Sequence, residues 1–434
     1  MKQLLNTQAD PNIITDITLG KDAAVDLLYG CFRINNPRGD AFATQRDVEI
    51  VARSGNKIRI NVPETMKIDL PADTKLANTQ MFRLENIGKY RDTMYLLTLR
   101  AGWNQVERDI NRMIDLDPEG TFVGKLYGKE FDILLATASV LPLGRNNSWI
   151  GMILVHPEVR RQGIANAMMQ ACVKYAIDSG KIINGLDATP MGNTVYGAVG
   201  YVNSYRIWRS VFQPGEFAEQ TYDTHHVTAI KDNDLSDVIR YDADAFLERN
   251  AILRGLFTDS QDGCFVYRND HGAVQGYCFT RPGRLRPFVG PFVADTEAIA
   301  RALLIAASRH LHAGNPGGTA LIDTPESKFS DPGIYVERVF EQKKKPSGHR
   351  LSTTLTPVRD FTRMYQLVRD TDVDKLVEQL VTAEGLDKQS PRVHEFRETM
   401  AKSVNNYTIT RGFMELERQE LQKKFWGITG PEKG

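Results

Sequence analysis

The sequence predicts an α/β (α+β) fold: two halves of similar strand-and-helix order, an N-terminal extension, and a helical C-terminal tail. Three observations predict it. At 434 residues the chain is long enough for two to four domains of roughly 100–200 residues each. Short apolar or alternating runs recur between stretches with helical spacing. And the order of elements in residues 79–213 returns, more loosely, in residues 225–330.

The extension, residues 1–78, holds a hairpin: Val48 to Arg53, a turn at Ser54-Gly55-Asn56, then Lys57 to Val62. Next comes a strand at Met81 to Leu84, and helices at Tyr90 to Leu99 and Val106 to Ile114. Strands follow at Gly120 to Leu126, Phe131 to Leu141 and Ser148 to Val155. A long helix runs from about Gln162 to Ser179, its apolar face made of Ile164, Met168, Ala171, Cys172 and Tyr175, with Gly180 as its stop. A strand at Ile182 to Leu186, a short helix near Asn193 to Val199 and a strand at Tyr205 to Phe212 close this half.

The second half is bounded at 214–369. It starts with a strand at His226 to Ile230 and a helical stretch at Leu235 to Leu247. A hairpin of Cys264 to Arg268 and Ala273 to Phe279 turns at Asn269-Asp270-His271-Gly272. Then come a strand ending at Val289-Gly290-Pro291, a helix over about Thr296 to Leu311, and a strand at Ala320 to Asp323. A basic loop lies near 341–350. The tail, 370–434, carries two helical stripes, Val373-Leu376-Val377-Leu380 and Phe413-Leu416-Leu421 with Phe425, as candidates for self-association.

Composition narrows the function classes. Hydrophobic residues are 41% and charged ones 25%, as in ordinary globular proteins. Lys+Arg is 54 and Asp+Glu is 54, which argues against a protein that coats nucleic acid or an anionic membrane. The four cysteines, Cys31, Cys172, Cys264 and Cys278, lack C-x-x-C spacing and suggest a reducing compartment. No apolar leader and no apolar run of about 18 residues stands out. The expectation is a cytoplasmic protein with neither a nucleic-acid nor a membrane partner and no metal. The adjacent pair His225-His226 would face opposite ways on a strand, which disfavours a metal site.

The chemistry is concentrated at Met152 to Asn166. A strand ends at Val155-His156-Pro157, a basic loop follows, and a helix begins near Gly163. The first amides of a helix lack internal partners and carry about half a positive charge. They form an anion site that a pyrophosphate fits. Gly163 lets the anion approach the backbone, Ala165 is small, and Arg160 and Arg161 add permanent charge. The competing reading is a plain connection with solvated arginines. About 30 residues on comes Leu186-Asp187-Ala188-Thr189-Pro190, then Tyr196 with Gly200-Tyr201.

Together these resemble the GCN5-related N-acetyltransferase (GNAT) superfamily. Arg160-x-x-Gly163-x-Ala165 matches its pyrophosphate loop, and Tyr196-x-x-x-Gly200-Tyr201 its Tyr-x-x-x-Gly-Phe ending. The arrangement resembles tandem-GNAT proteins with a degenerate second half. The resemblance implies mixed, mostly antiparallel sheets flanked by helices, one per half. It implies acetyl-CoA as co-substrate, a small-molecule or protein amine as acceptor, and direct attack in a ternary complex. The strand Ile153-Leu154-Val155 would hold the pantetheine arm. The amides of Arg161, Gln162, Gly163, Ile164, Ala165 and Asn166 would hold the pyrophosphate beside Arg160. Tyr196 would be the acid that protonates the leaving thiolate; otherwise it is a packing tyrosine. Asp187 stands as either a general base or a brace of the following turn, and His156 as structural. The relatives' usual asparagine is Thr189 here. Trp103 and Trp149 line an acceptor pocket or belong to the core. In the second half, Pro291 removes an amide and Asp295 sets a carboxylate near the helix start, so a single coenzyme site is expected. The competing function is an acyl-CoA-binding regulatory or scaffold protein without turnover. A third is transfer of a larger acyl group.

Overall fold

The computed structural model describes residues 74–127, 132–246, 248–328, 355–367 and 424–427, with the backbone of six short strands before residue 74. By compactness the chain divides into two units. One is Met1–Val140 with Met152–Lys174, the other Leu141–Gly151 with Tyr175–Gly434.

In the first unit, β1 (Ile13–Thr18), β2 (Phe32–Asn35), β3 (Phe42–Ala43), β4 (Glu49–Ser54), β5 (Lys57–Val62) and β6 (Met66–Asp69) form two small sheets, ordered β1-β5-β4 and β3-β2-β6. β4 and β5 are the expected hairpin, paired antiparallel from Glu49↔Asn61 to Ser54↔Lys57. β7 (Phe82–Asn86) is followed by α1 (Arg91–Arg100) and α2 (Glu107–Leu116), then by β8 (Thr121–Tyr127) and β9 (Asp132–Leu143). The three strands form an antiparallel meander. β10 (Asn147–Val155) leads to α3 (Ile164–Asp178). Ile164, Met168 and Cys172 are buried, as the helical spacing predicts. Gly124 on β8 makes room for them: a Cβ there would meet Phe82 Cζ at 3.0 Å and Met168 Sδ at 3.1 Å. Gly180 ends the helix with φ +78, its N–H donating to Ile177 O while Lys181 N–H donates to Ala176 O.

The second unit continues with β11 (Ile183–Ala188), α4 (Pro190–Ala198), β12 (Val202–Phe212) and α5 (Pro214–Ala218). Then come β13 (Val227–Ala229), α6 (Leu235–Ala245) and α7 (Asn250–Asp259). The hairpin β14 (Cys264–Arg268) and β15 (Val274–Arg281) leads into β16 (Phe288–Ala294), α8 (Glu297–Gly314), β17 (Ala320–Pro325), β18 (Thr356–Leu367) and β19 (Phe425–Gly427). α7 was not expected from the sequence. It buries Ile252, Leu253, Leu256 and Phe257 on one face. α8 buries Ile299, Leu303 and Leu304 in a core with Phe212, Val289, Phe292 and Ile322. Phe425, expected in a helical stripe, instead starts a strand, because its backbone pairs with β16. The basic loop near 341–350 and the rest of the tail lie outside the described residues.

The mixed, mostly antiparallel α+β architecture is as expected, but the two halves do not keep separate sheets. In this unit the strands run β13-β14-β15-β16-β17-β12-β18-β11, followed by the start of β10. β18, the closing strand of the second half, pairs with β11 of the first. β12, the closing strand of the first half, pairs with β17 of the second. Each half lends its last strand to the other. Among the described residues, no helix is long and apolar enough to cross a membrane.

Candidate functional site

The segment between β10 and α3 is built by backbone geometry. β10 pairs in parallel with β11 from Asn147↔Ile183 to Trp149↔Gly185, where the pairing stops. Met152 then takes φ +55 and Arg161 φ +65; they are the two non-glycine residues at positive φ among the described residues. Such a conformation costs a side-chain-bearing residue about 1–3 kcal/mol and clusters at functional sites. The two bracket Ile153, Leu154, Val155 and the basic loop. Arg160 is tied back by Nε donating to Val155 O at 3.4 Å. Arg160 and Arg161 are both exposed.

Gly163 has φ +79, a conformation in which any side chain is strained. A Cβ there would also press on Ala77 Cβ at 3.2 Å. Ala167 N–H donates to Gly163 O at 3.1 Å, the first helical bond of α3. The amides of Ile164, Ala165 and Asn166 therefore stand at the open end of the helix. Gly163 and these amides together form a backbone cradle at the start of α3.

The role of Gln162 is more specific than the sequence suggested. Its side-chain Oε1 accepts from Leu76 N–H at 3.3 Å, and its backbone carbonyl accepts from Ala77 N–H at 3.1 Å. The turn Leu76–Asn78, at the end of a segment with no readable chemistry, is thereby clamped onto the loop. His156 is buried, and its backbone N–H donates to Leu135 O at 2.8 Å.

Asp187, expected as a base or a brace, is held by an arginine. Its carboxylate is fully buried, and both oxygens accept from Arg363, Nε at 2.9 Å and Nη2 at 3.0 Å. The two residues are cross-strand partners on β11 and β18. Arg363 also donates to Tyr205 Oη at 2.9 Å and lies 4.7 Å over the Trp149 ring. Burial alone disfavours the guanidinium cation, but Asp187, then Tyr205 and Tyr365, hold its pKa well above the ordinary value. A carboxylate engaged at both oxygens, away from solvent, suits a brace better than a base. Trp149 belongs to the same core: it is fully buried, edge-on to Phe246 and Tyr365. Gly185 gives it space, since a Cβ there would sit 2.4 Å from Trp149 Cζ3.

Tyr196 lies on α4, a helix with no buried residues. Thr189 caps it, its Oγ1 accepting from Gly192 N–H at 3.2 Å. Gly192 lies one turn before Tyr196, and a Cβ there would come 2.7 Å from Cε2 and 3.1 Å from the phenol oxygen. The ring therefore rests over a bare glycine, a placement that the Tyr-x-x-x-Gly-Tyr motif does not reveal. β18 holds the other side of α4. Asn193 donates to Met364 Sδ at 3.5 Å, and Gln366 Nε2 donates to Val199 O at 2.7 Å.

His225 and His226 do not alternate as strand residues. They precede β13, with ring centroids 3.7 Å apart, and His225 Nδ1 is 2.6 Å from Asp223 Oδ1.

Comparison with known families matches residues 89–194 to the Acetyltransferase (GNAT) family and residues 238–345 to an Acetyltransferase (GNAT) domain. The chain carries two GNAT domains in tandem. This tandem GNAT chain is 24% identical over 251 residues to the "Uncharacterized N-acetyltransferase YitH" of Bacillus subtilis, covering 57% of this chain and 83% of that protein. Among solved structures it is similar to a GCN5-related N-acetyltransferase from Sphaerobacter thermophilus. That pair is 12% identical with a TM-score of 0.47, over 68% of this chain and 98% of that one. A tandem GNAT protein from the clavulanic acid biosynthesis pathway is 15% identical with a TM-score of 0.43, over 67% and 100%.

The second GNAT domain starts its helix differently. Thr296 caps α8 through Oγ1, which accepts from Ile299 N–H at 3.3 Å. Asp295 accepts from Tyr241 Oη at 2.8 Å and pairs with Lys424 Nζ at 3.0 Å. Burial, with Asp295 next, pushes the Tyr241 phenol pKa up, so it stays a donor.

Proposed function

We propose that this chain is an N-acetyltransferase, moving an acetyl group from acetyl-CoA to a primary amine by direct attack in a ternary complex. The observation that carries the reading is the cradle at the start of α3, with Gly163 at φ +79 behind an exposed Arg160-Arg161 pair. Its residues fit a pyrophosphate in charge, in free amides and in close backbone approach. Ile153, Leu154 and Val155 would offer their backbone to the pantetheine arm, and the amides of Arg161 to Asn166 would hold the phosphates.

In the transfer, the neutral amine nitrogen bonds to the thioester carbonyl carbon and gives up a proton to solvent water, which in turn reprotonates Tyr196 after the transfer. The carbon–sulfur bond then breaks, and Tyr196 donates its phenolic proton to the departing sulfur. A phenol with pKa about 10 is a suitable donor to a thiolate whose acid is near 8.5 only when held in place. The fit of the Tyr196 ring over Gly192 supports this reading.

The locked carboxylate of Asp187 favours a second reading, in which the chain binds an acyl-CoA for regulation or scaffolding without turnover. A free-thiol assay over a panel of primary amines, with acetyl-CoA and longer acyl-CoAs, separates the two. Thiol release that depends on both substrates supports the transferase. Donor binding by calorimetry with no release on any amine supports the scaffold.

A further inference from the structure

β16 and β17 repeat the strand arrangement of β10 and β11. They pair in parallel only at Phe288↔Leu321 and Val289↔Ile322, and β16 then runs on to Ala294. One edge of that run is covered by β15, from Gly276↔Ala294 to Cys278↔Phe292. The other is covered by a distant piece of this same chain. β19 pairs antiparallel with β16 at Phe292↔Gly427 and Val293↔Phe425, and Ala294 N–H donates to Lys424 O at 2.9 Å. β19 packs beside β17 as well, so it fills the space where the two strands part.

The charges at the mouth of this cleft match the occupant. Asp295 stands at the start of α8 and holds the Lys424 ammonium at 3.0 Å. Tyr241 faces the same spot, its hydroxyl on Asp295 and its ring 5.3 Å from Lys424 Nζ. A carboxylate there repels a phosphate and attracts a cation. The helix amides that would greet an anion are closed by Thr296.

We propose that the second GNAT domain is a strand-binding cleft, filled in cis by Lys424–Gly427, and takes an extended peptide with a basic residue facing Asp295. Its ligand pairs with the β16 backbone as an added strand. The parallel with a coenzyme arm along β10 rests on the function proposed above; the cis occupancy does not.

The test is site-resolved hydrogen exchange of the Ala294 amide in the full chain. In the unaltered protein and in Lys424→Arg this amide is protected. In Lys424→Glu, where two carboxylates meet at Asp295, it exchanges at least tenfold faster. A synthetic peptide spanning Leu421 to Thr429, added to Lys424→Glu, restores the slow rate, whereas acetyl-CoA does not. An unchanged rate in Lys424→Glu, no recovery with the peptide, or recovery with acetyl-CoA overturns the proposal. Calorimetry of acetyl-CoA on the unaltered chain reads the first domain separately. Loss of that binding would sink the coenzyme site and leave the exchange result standing.

Discussion

The helices α3 and α8 follow the same kind of strand pair but begin in opposite ways. At α3, two residues of positive φ and a clamped Gln162 leave the first amides at an open end beside two exposed arginines. At α8, a threonine cap, an aspartate and a lysine from elsewhere in the chain close the same position. On the proposed function, the contrast is between a helix start kept for a ligand and one closed by the chain itself. A side-chain cap stabilises a helix start by about 1 kcal/mol, and it occupies an amide that an anion could otherwise use.

Substitutions can break this contrast at each level. The largest effect is expected from Gly163→Glu, which adds both a strained side chain and a negative charge to the open cradle. Acetyl-CoA affinity should fall at least 100-fold by calorimetry, while the thermal transition drops only by what about 1–3 kcal/mol of backbone strain costs. Arg363→Met comes next. It strands a buried carboxylate, and chemical denaturation should show a loss of about 3–5 kcal/mol. Adding Asp187→Leu to that variant should recover much of the loss, as expected of a brace.

Smaller effects concern α4. Tyr196→Phe should lower kcat by about 10²-fold, within the usual range for a general acid, and leave donor binding intact. Gly192→Ala improves helix propensity by about 1 kcal/mol yet displaces the Tyr196 ring. Stability should hold or rise while kcat falls about tenfold. The smallest change is Thr296→Ala at the closed helix start. It should cost about 1 kcal/mol of stability and leave acetyl-CoA binding unchanged, because that cap serves the helix alone.

Much of this was legible from local pattern. Ile164, Met168 and Cys172 marked the buried face of α3, and the glycine at 163 marked the cradle, because both depend on neighbours within a few residues. What escaped depends on remote partners. Asp187 reads alike as base or brace, since the arginine that pairs with it lies 176 positions away. Gln162 reads as one more loop amide, because its partners Leu76 and Ala77 come 86 and 85 positions earlier, in an extension with no motif. Phe425 falls in step with a helical stripe, and only its pairing with β16 makes it a strand. Non-local pairing is the information that periodicity does not carry.

The exchange of closing strands also bears on how the chain is made. At about 5–20 residues per second, Arg363 is synthesised roughly 10–35 s after Asp187. Through that interval one edge of Ile183–Ala188 lacks its final neighbour, and an unpaired edge is a template for pairing with other chains. A fragment cut at the end of the first half, residues 79–213, would stay in that state permanently, with Asp187 facing an empty place in the sheet. The chain has to be expressed whole, and slowing its translation after β12 should raise the aggregated fraction.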